Sequence, residues 1–135
     1  MKLYTSYFAN VRQLQEKGFY NLWCVAGYAP KFFHDMPNAH FMPELAPKKL
    51  WWQEWHDRKL GEDWYAQKYN ETVLSKLNPE KVVEELGDGA VLLCYEKSGD
   101  FCHRHLIADW IVKNTGVKVE EIQFPKGLLR SNKFD

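Results

Sequence analysis

The sequence predicts an α/β fold: a small Rossmann-like, three-layer domain with a mostly parallel sheet of about four strands and an inserted helical segment. Short apolar or β-branched runs alternate with segments of helical spacing. Glycine or proline lies at most boundaries between these segments. The length of 135 residues, with 45% hydrophobic and 16% aromatic residues, suits one domain over residues 1–135 with its own core.

The first segments predict a strand, a helix and a second strand. Residues 2–8 suit a strand, residues 10–18 give one or two helical turns that Gly18 ends, and residues 19–25 read as a largely buried strand. This order within about 25 residues indicates a βαβ unit with parallel strands.

Residues 28–47 hold four of the six prolines and show no helical or strand period. A loop this long inside a domain is usually functional or disordered, and its aromatic residues favour packing over disorder. We therefore expect a lid or binding loop. A structural excursion that covers one edge of the sheet is the alternative.

The remaining segments predict three helices, a strand, a fourth helix and a last strand. We expect the helices to span about residues 47–59, 62–77 and 79–86, the strands 90–95 and 117–122, and the fourth helix to carry Cys102, His103 and Arg104 near its start. The tail, with Lys126, Arg130 and Lys133, is basic, and we expect it to be loosely held.

Composition excludes several classes of protein. Eighteen basic residues balance eighteen acidic ones, so net charge gives nucleic-acid binding no support. No apolar run approaches the roughly 20 residues that span a bilayer, and the first residues lack the features of a signal peptide. Three cysteines do not form a secreted disulfide framework. We therefore predict a cytoplasmic protein without a membrane partner.

The junction between the strand at 90–95 and the following helix carries the densest polar cluster. The carboxyl edge of a parallel sheet is where α/β proteins place ligands. With Asp100 or Ser98 as the expected N-cap, Cys102, His103 and Arg104 would occupy the first helical turn, beside free backbone N–H groups. These donors and the guanidinium predict an anion site, with phosphate as the obvious ligand.

Cys102 and Glu96 are the candidate catalytic residues. A helix N-terminus, a histidine and an arginine all favour a thiolate, which makes Cys102 a candidate nucleophile. Its spacing to Leu106, four residues on, favours the core instead. Glu96 follows the strand where catalytic carboxylates often project, and pairing with Arg104 is its alternative role.

No metal site is expected from the sequence. There is no C-x-x-C or H-x-x-x-H pair, and adjacent residues on a helix diverge by about 100°.

The stretch from Cys94 to Glu96, a short loop and Cys102-His103-Arg104 resemble the hallmark of the family catalogued as "domain of unknown function 488" (YeaO-like). The segments at 4–8 and 26–32 are similar to a compact branch often seen in phage and bacterial genomes. The resemblance implies a small Rossmann-like α/β domain with the signature at a strand-to-helix edge. Longer members carry an Asp-x-Arg pair after the second strand, which is missing here at 24–27.

Three functions are weighed. The first is an enzyme that acts on nucleotides or nucleic-acid components and holds their phosphate at the helix N-terminus. The sequence does not identify a cofactor for this enzyme. Its binding residues are predicted to be Arg104, His103, Thr5, Ser6, Tyr7, Gly27 and Lys31. The second is a non-catalytic interaction module, such as a phage product that binds a host protein through exposed tryptophans among Trp51, Trp52, Trp55 and Trp64. The third is a redox-sensitive protein that uses Cys94 and Cys102.

Overall fold

A computed structural model describes residues 1–124, and one five-stranded sheet forms its centre. The strands run in the order β3-β2-β4-β1-β5, and every neighbouring pair is parallel. Their bounds are β1 (Lys2–Tyr7), β2 (Leu22–Cys24), β3 (Ala39–Phe41), β4 (Val91–Cys94) and β5 (Lys118–Glu121). The predicted three-layer α/β fold is confirmed, with five strands rather than about four.

Among the described residues, six α-helices cover the two faces of the sheet. They are α1 (Val11–Glu16), α2 (Lys31–His34), α3 (Lys49–Asp57), α4 (Glu62–Thr72), α5 (Pro79–Leu86) and α6 (His103–Thr115). Side chains of α1 and α2 pack with Val91 and Leu93 on one face. Side chains of α3 to α6 pack with Leu3 and Leu92 on the other, larger face. The inserted helices α3 to α5 therefore belong to the helical layer on this second face.

Strand β4 is the central strand, and all four of its residues are buried. A strand covered on both faces needs apolar side chains in both directions, which explains the continuous run of Val91 to Cys94. It pairs with β1 on one side and β2 on the other, so β4 separates the two strands of the predicted βαβ unit. The chain leaves this strand at Cys94, in the middle of the carboxyl edge.

The expectation that residues 28–47 lack regular structure is wrong. The segment contains α2 and β3, and β3 pairs with β2 so that Phe41 lies opposite Cys24. A three-residue strand is too short to show alternation in sequence. Phe33 from α2 is fully buried in the core, whereas Tyr28, Phe32 and Phe41 are exposed, so packing accounts for only part of the aromatic content of this segment.

Several predicted boundaries also differ. Strand β2 is limited to three residues, and the helix expected to continue to Leu77 ends at Thr72, before a 3-10 turn at Leu74–Lys76. The basic tail lies outside the described residues. Within residues 1–124, we find no helix with both the length and the apolar character that a membrane crossing requires.

Candidate functional site

Helix α6 begins later than expected, and this places Cys102 before the helix rather than in its first turn. The N-cap is Cys102 itself, in extended conformation (φ −156°, ψ 146°), rather than Asp100 or Ser98. Only His103 and Arg104 of the motif belong to the first turn. Because Cys102 precedes the helix, neither its spacing to Leu106 nor the angular divergence of helical neighbours determines where its side chain points.

Cys94, Cys102 and His103 form one buried group, which we call the cysteine–histidine cluster. Their sulfur and imidazole nitrogen atoms all lie within 4.8 Å of one another. The two sulfur atoms are in direct contact, as in a disulfide, while their Cα atoms are 7.7 Å apart. Cys102 Sγ lies 3.8 Å from His103 Nδ1. Glu96 Oε1 lies 3.6 Å from Cys94 Sγ, so this carboxylate borders the cluster.

The imidazole of His103 is held in one tautomer. Its Nε2 lies 2.7 Å from the carbonyl oxygen of Val25, which accepts only, so Nε2 carries the proton. Burial lowers the pKa of His103 to about 4, against the opposing effect of the bond to Val25. The ring is therefore neutral at pH 7, and Nδ1 presents a lone pair towards Cys102.

Arg104 is fully buried, and a carboxylate inside the protein binds it. Its Nε and Nη2 donate to the two oxygens of Glu121 at 3.1 and 2.9 Å. Its Nη1 donates to the backbone oxygen of Glu96 at 2.6 Å and to Cys94 Sγ at 3.0 Å. The geometry gives the phosphate role predicted for Arg104 no support. Its pairing with Glu96 occurs through the main chain, not the carboxylate.

Glu121 is the centre of this second group, which we call the Arg104 network: Arg104, Glu121, Thr5 and Ser98. Thr5 Oγ1 and Ser98 Oγ donate to Glu121 at 2.5 and 2.6 Å. Partial burial raises the pKa of Glu121, but the hydrogen bonds from Arg104, Ser98 and Thr5 outweigh it and hold that pKa below its ordinary value.

The other predicted binding residues are divided between these groups and the surface. Ser6 is buried, and its Oγ accepts a hydrogen bond from Asn10 Nδ2 and donates one to the backbone oxygen of Ile122, the residue after β5. The ring of Tyr7 lies 5.7 Å from the Arg104 guanidinium. Lys31 is exposed and pairs with Asp35. Thr5, Ser6, Tyr7 and Lys31 are therefore not brought to a common cavity, whereas Gly27 lines the one described next.

A cavity of about 520 Å³ opens beside the cysteine–histidine cluster, and we call it the aromatic cavity. Cys94, Cys102, His103 and Glu96 line it, together with Gly27 and Lys49. Its aromatic walls are Tyr28, Trp52, Trp55, Tyr65, Tyr95 and Phe101. A concave, mostly apolar volume of this size with a few polar groups is typical of small-molecule sites.

Trp55 lines this cavity and contains a polar atom without a partner among residues 1–124. Its indole Nε1 is buried, and it has no hydrogen-bond acceptor among residues 1–124. Buried N–H groups are nearly always paired with protein, water or ligand.

The cavity residues from α3 and α4 are the main functional candidates that sequence reasoning missed. Trp52 and Trp55 are three apart, a spacing that places both on one side of a helix, and this was the available signal. Of the tryptophans considered for an exposed patch, Trp51 is buried and Trp52, 37% exposed, lines the cavity. Trp55 and Trp64 are partly buried, so the four tryptophans are not all covered, and the interaction-module hypothesis stays a prediction.

Comparison with known proteins identifies the family of this chain and no individual relative. Neither the curated proteins nor the solved structures contain a significant match. The sequence profile of the DUF488-N3a family, described as the active DUF488-N3 subclade, matches residues 7–115. That span includes β4, the cysteine–histidine cluster and Arg104, which are the residues of the predicted resemblance. The chain belongs to the DUF488-N3a family.

Proposed function

We propose that the protein is an enzyme that acts on a small planar molecule bound in the aromatic cavity, and that its substrate class is nucleobase-containing compounds. The observation that carries the proposal is the cavity itself, whose aromatic walls face a cluster of cysteine, histidine and carboxylate groups. The description of the family as an active subclade supports an enzyme over a binding module.

Aromatic side chains supply the binding surface. Planar rings stack on indole and phenol rings, and base stacking on an aromatic side chain contributes about 1–3 kcal/mol. Trp55 adds a buried N–H without a partner among the described residues. A nucleobase offers both features that this wall requires, a flat ring and acceptor atoms at its edge.

Polar groups at the sheet edge supply the chemistry. Cys102, His103 and Glu96 line the cavity, so all three keep the role of site residues in this proposal. Gly27 keeps a binding role because it lines the same volume. A phosphate on the substrate would meet Lys49 at the cavity wall, because Glu121 and the main chain already bind Arg104.

The proposal is tested by ligand binding measured through tryptophan fluorescence and thermal shift. The panel contains free nucleobases, nucleosides and nucleotides, with sugar phosphates as the matched compounds that lack an aromatic ring. We expect binding by members of the first group and none by sugar phosphates. If no nucleobase-bearing compound stabilises the protein, the proposed substrate class is wrong.

Trp55→Phe is the sharpest variant because it keeps a ring and removes only the indole N–H. Losing one hydrogen bond of about 1.4 kcal/mol weakens ligand affinity roughly tenfold. Leu50→Ala is the control, since Leu50 lies on the same helix, is 89% exposed and is not a cavity residue. Equal affinities of Trp55→Phe and the natural protein would contradict the binding geometry.

A further inference from the structure

We propose that Cys94, Cys102 and His103 bind a zinc ion, and that its fourth coordination position opens to the aromatic cavity. The inference rests on the proposed function in one respect, which is that the open position faces a substrate. It would assign a metal centre to residues that the sequence pattern does not mark as ligands.

The donor set matches zinc in type, and the distance between one sulfur and the imidazole nitrogen matches zinc in placement. Two cysteine sulfurs and one imidazole nitrogen form a set that Zn²⁺ binds well, and catalytic zinc sites keep three protein ligands and one open position. The three donor atoms lie within 4.8 Å of one another. The 3.8 Å between Cys102 Sγ and His103 Nδ1 is close to the ~3.6 Å that a shared tetrahedral zinc would impose.

The surrounding contacts are those of a metal ligand set. A histidine that binds a metal usually donates its other ring N–H to a carboxylate or a backbone carbonyl, and His103 Nε2 does so to Val25. This bond leaves the lone pair of Nδ1 free to bind a metal ion on the side of Cys102. Arg104 Nη1 donates to Cys94 Sγ at 3.0 Å, a contact that stabilises a thiolate.

Charge balance suits a divalent ion once both cysteines are thiolates, and the backbone distance is unusual for a disulfide. Two thiolates and a neutral imidazole carry two negative charges, which a divalent cation balances inside the protein. The Cα atoms of Cys94 and Cys102 are 7.7 Å apart, whereas disulfides usually span about 4.4–6.8 Å. The backbone therefore spaces the two cysteines more widely than a disulfide usually requires, and zinc binding would move their sulfurs apart from the contact seen here.

The open position follows from the cavity. All three donors line the same volume, and Glu96 lines it beside Cys94. The fourth position would therefore take a water molecule or a polar substrate atom within that volume. Glu96 lies where it can accept a hydrogen bond from such a water.

The first experiment measures metal content of the full chain purified with a non-thiol reductant. We expect one zinc per chain, and at least a tenfold lower content in Cys94→Ser, Cys102→Ser and His103→Gln. Cys24→Ala is the matched control, because Cys24 is buried at the end of β2 outside the cluster. Zinc retained by both serine variants would overturn the assignment.

A second measurement avoids any variant that fails to fold. The natural protein is stripped with a chelator, and Co²⁺ is then added to the reduced chain. We expect near-ultraviolet absorption from sulfur-to-cobalt charge transfer and visible bands typical of tetrahedral cobalt. Absence of these bands, with Cys94 and Cys102 recovered as a disulfide from unreduced protein, would overturn the zinc site in favour of a redox pair.

The two proposals fail separately. If nucleobase compounds bind and neither zinc nor cobalt does, the cavity keeps its substrate and the metal assignment is wrong. If the metal binds and no nucleobase compound does, zinc binding is established, and both the substrate class and the role of the open position are overturned.

Discussion

His103 and Arg104 are neighbours in the first turn of α6 and are both buried, yet they belong to different environments. The Arg104 side chain is bound by Glu121, by the main chain at Glu96 and by Cys94. His103 uses one ring nitrogen on Val25 and presents the other beside Cys102 and a cavity. Burial of a polar group therefore does not identify a site. A polar atom that has a free lone pair or proton and lies beside a cavity is a better indication of a site.

The largest effect is expected from breaking the Arg104 network. Glu121→Gln leaves the buried guanidinium without its counter-charge, and such losses cost about 3–5 kcal/mol. The measurement is the free energy of unfolding in urea. Glu120→Gln on the same strand is the control, because its pair with Lys2 is exposed and screened by solvent and so contributes little. Equal losses in the two variants would show that burial of this pair has no consequence.

The stabilisation that Glu121 contributes should decrease as the pH falls into the acid range. Its pKa is lowered in the folded state from an ordinary 4.5, so the ion pair contributes fully above pH 4.5. Below that value the unfolded chain takes up the proton first, and the contribution is lost as the pH falls through the folded pKa. Urea titrations of the natural protein and Glu121→Gln should therefore converge in acid and stay separated at pH 6–8.

An intermediate effect is expected on the cavity side. With a chelator present, His103→Leu leaves the Val25 carbonyl without its donor, which costs about 1–3 kcal/mol of unfolding free energy. His105→Leu is the matched control, since His105 is only partly buried on the same helix. If the two variants are equally stable, the bond from His103 to Val25 does not hold the imidazole.

The smallest effect is expected at Glu96. Its side chain is exposed, and Glu96→Gln should change the free energy of unfolding by no more than about 0.5 kcal/mol. It should also keep the zinc content of the natural protein, because Glu96 is not one of the three donors. A loss comparable to that of Glu121→Gln would mean that both carboxylates support Arg104.

Much of the fold could be predicted because its signals are local. The apolar run of β4, the glycines after α1 and α5 and the helical spacing near Trp55 each lie within one segment of sequence. Strand β3 could not be found in this way, since three residues are too few to show a period, and its place depends on the free edge of β2.

The candidate site was harder to predict because its partners are distant in sequence. The strand-to-helix junction follows from the apolar run and the helix after it, and the residues that line the cavity there were in part expected. Glu121 reaches Arg104 only because β5 pairs with β1, which places Glu121 beside Thr5. The backbone of Cys102 likewise depends on how the chain leaves the preceding loop, which residue types alone do not determine.

The two sulfurs of the cluster are attached to the chain in unequal ways. Cys94 ends a strand that is hydrogen-bonded on both sides, so its position is as rigid as the sheet. Cys102 follows the loop of residues 95–101, most of which is exposed and which turns at Gly99 with φ +94°. When an ion binds to the cluster or leaves it, we therefore expect the loop to move and to carry Cys102 with it, while Cys94 stays in place. Amide hydrogen exchange would record this movement as a change of exchange rate confined to residues 95–101, with unchanged rates in the strands.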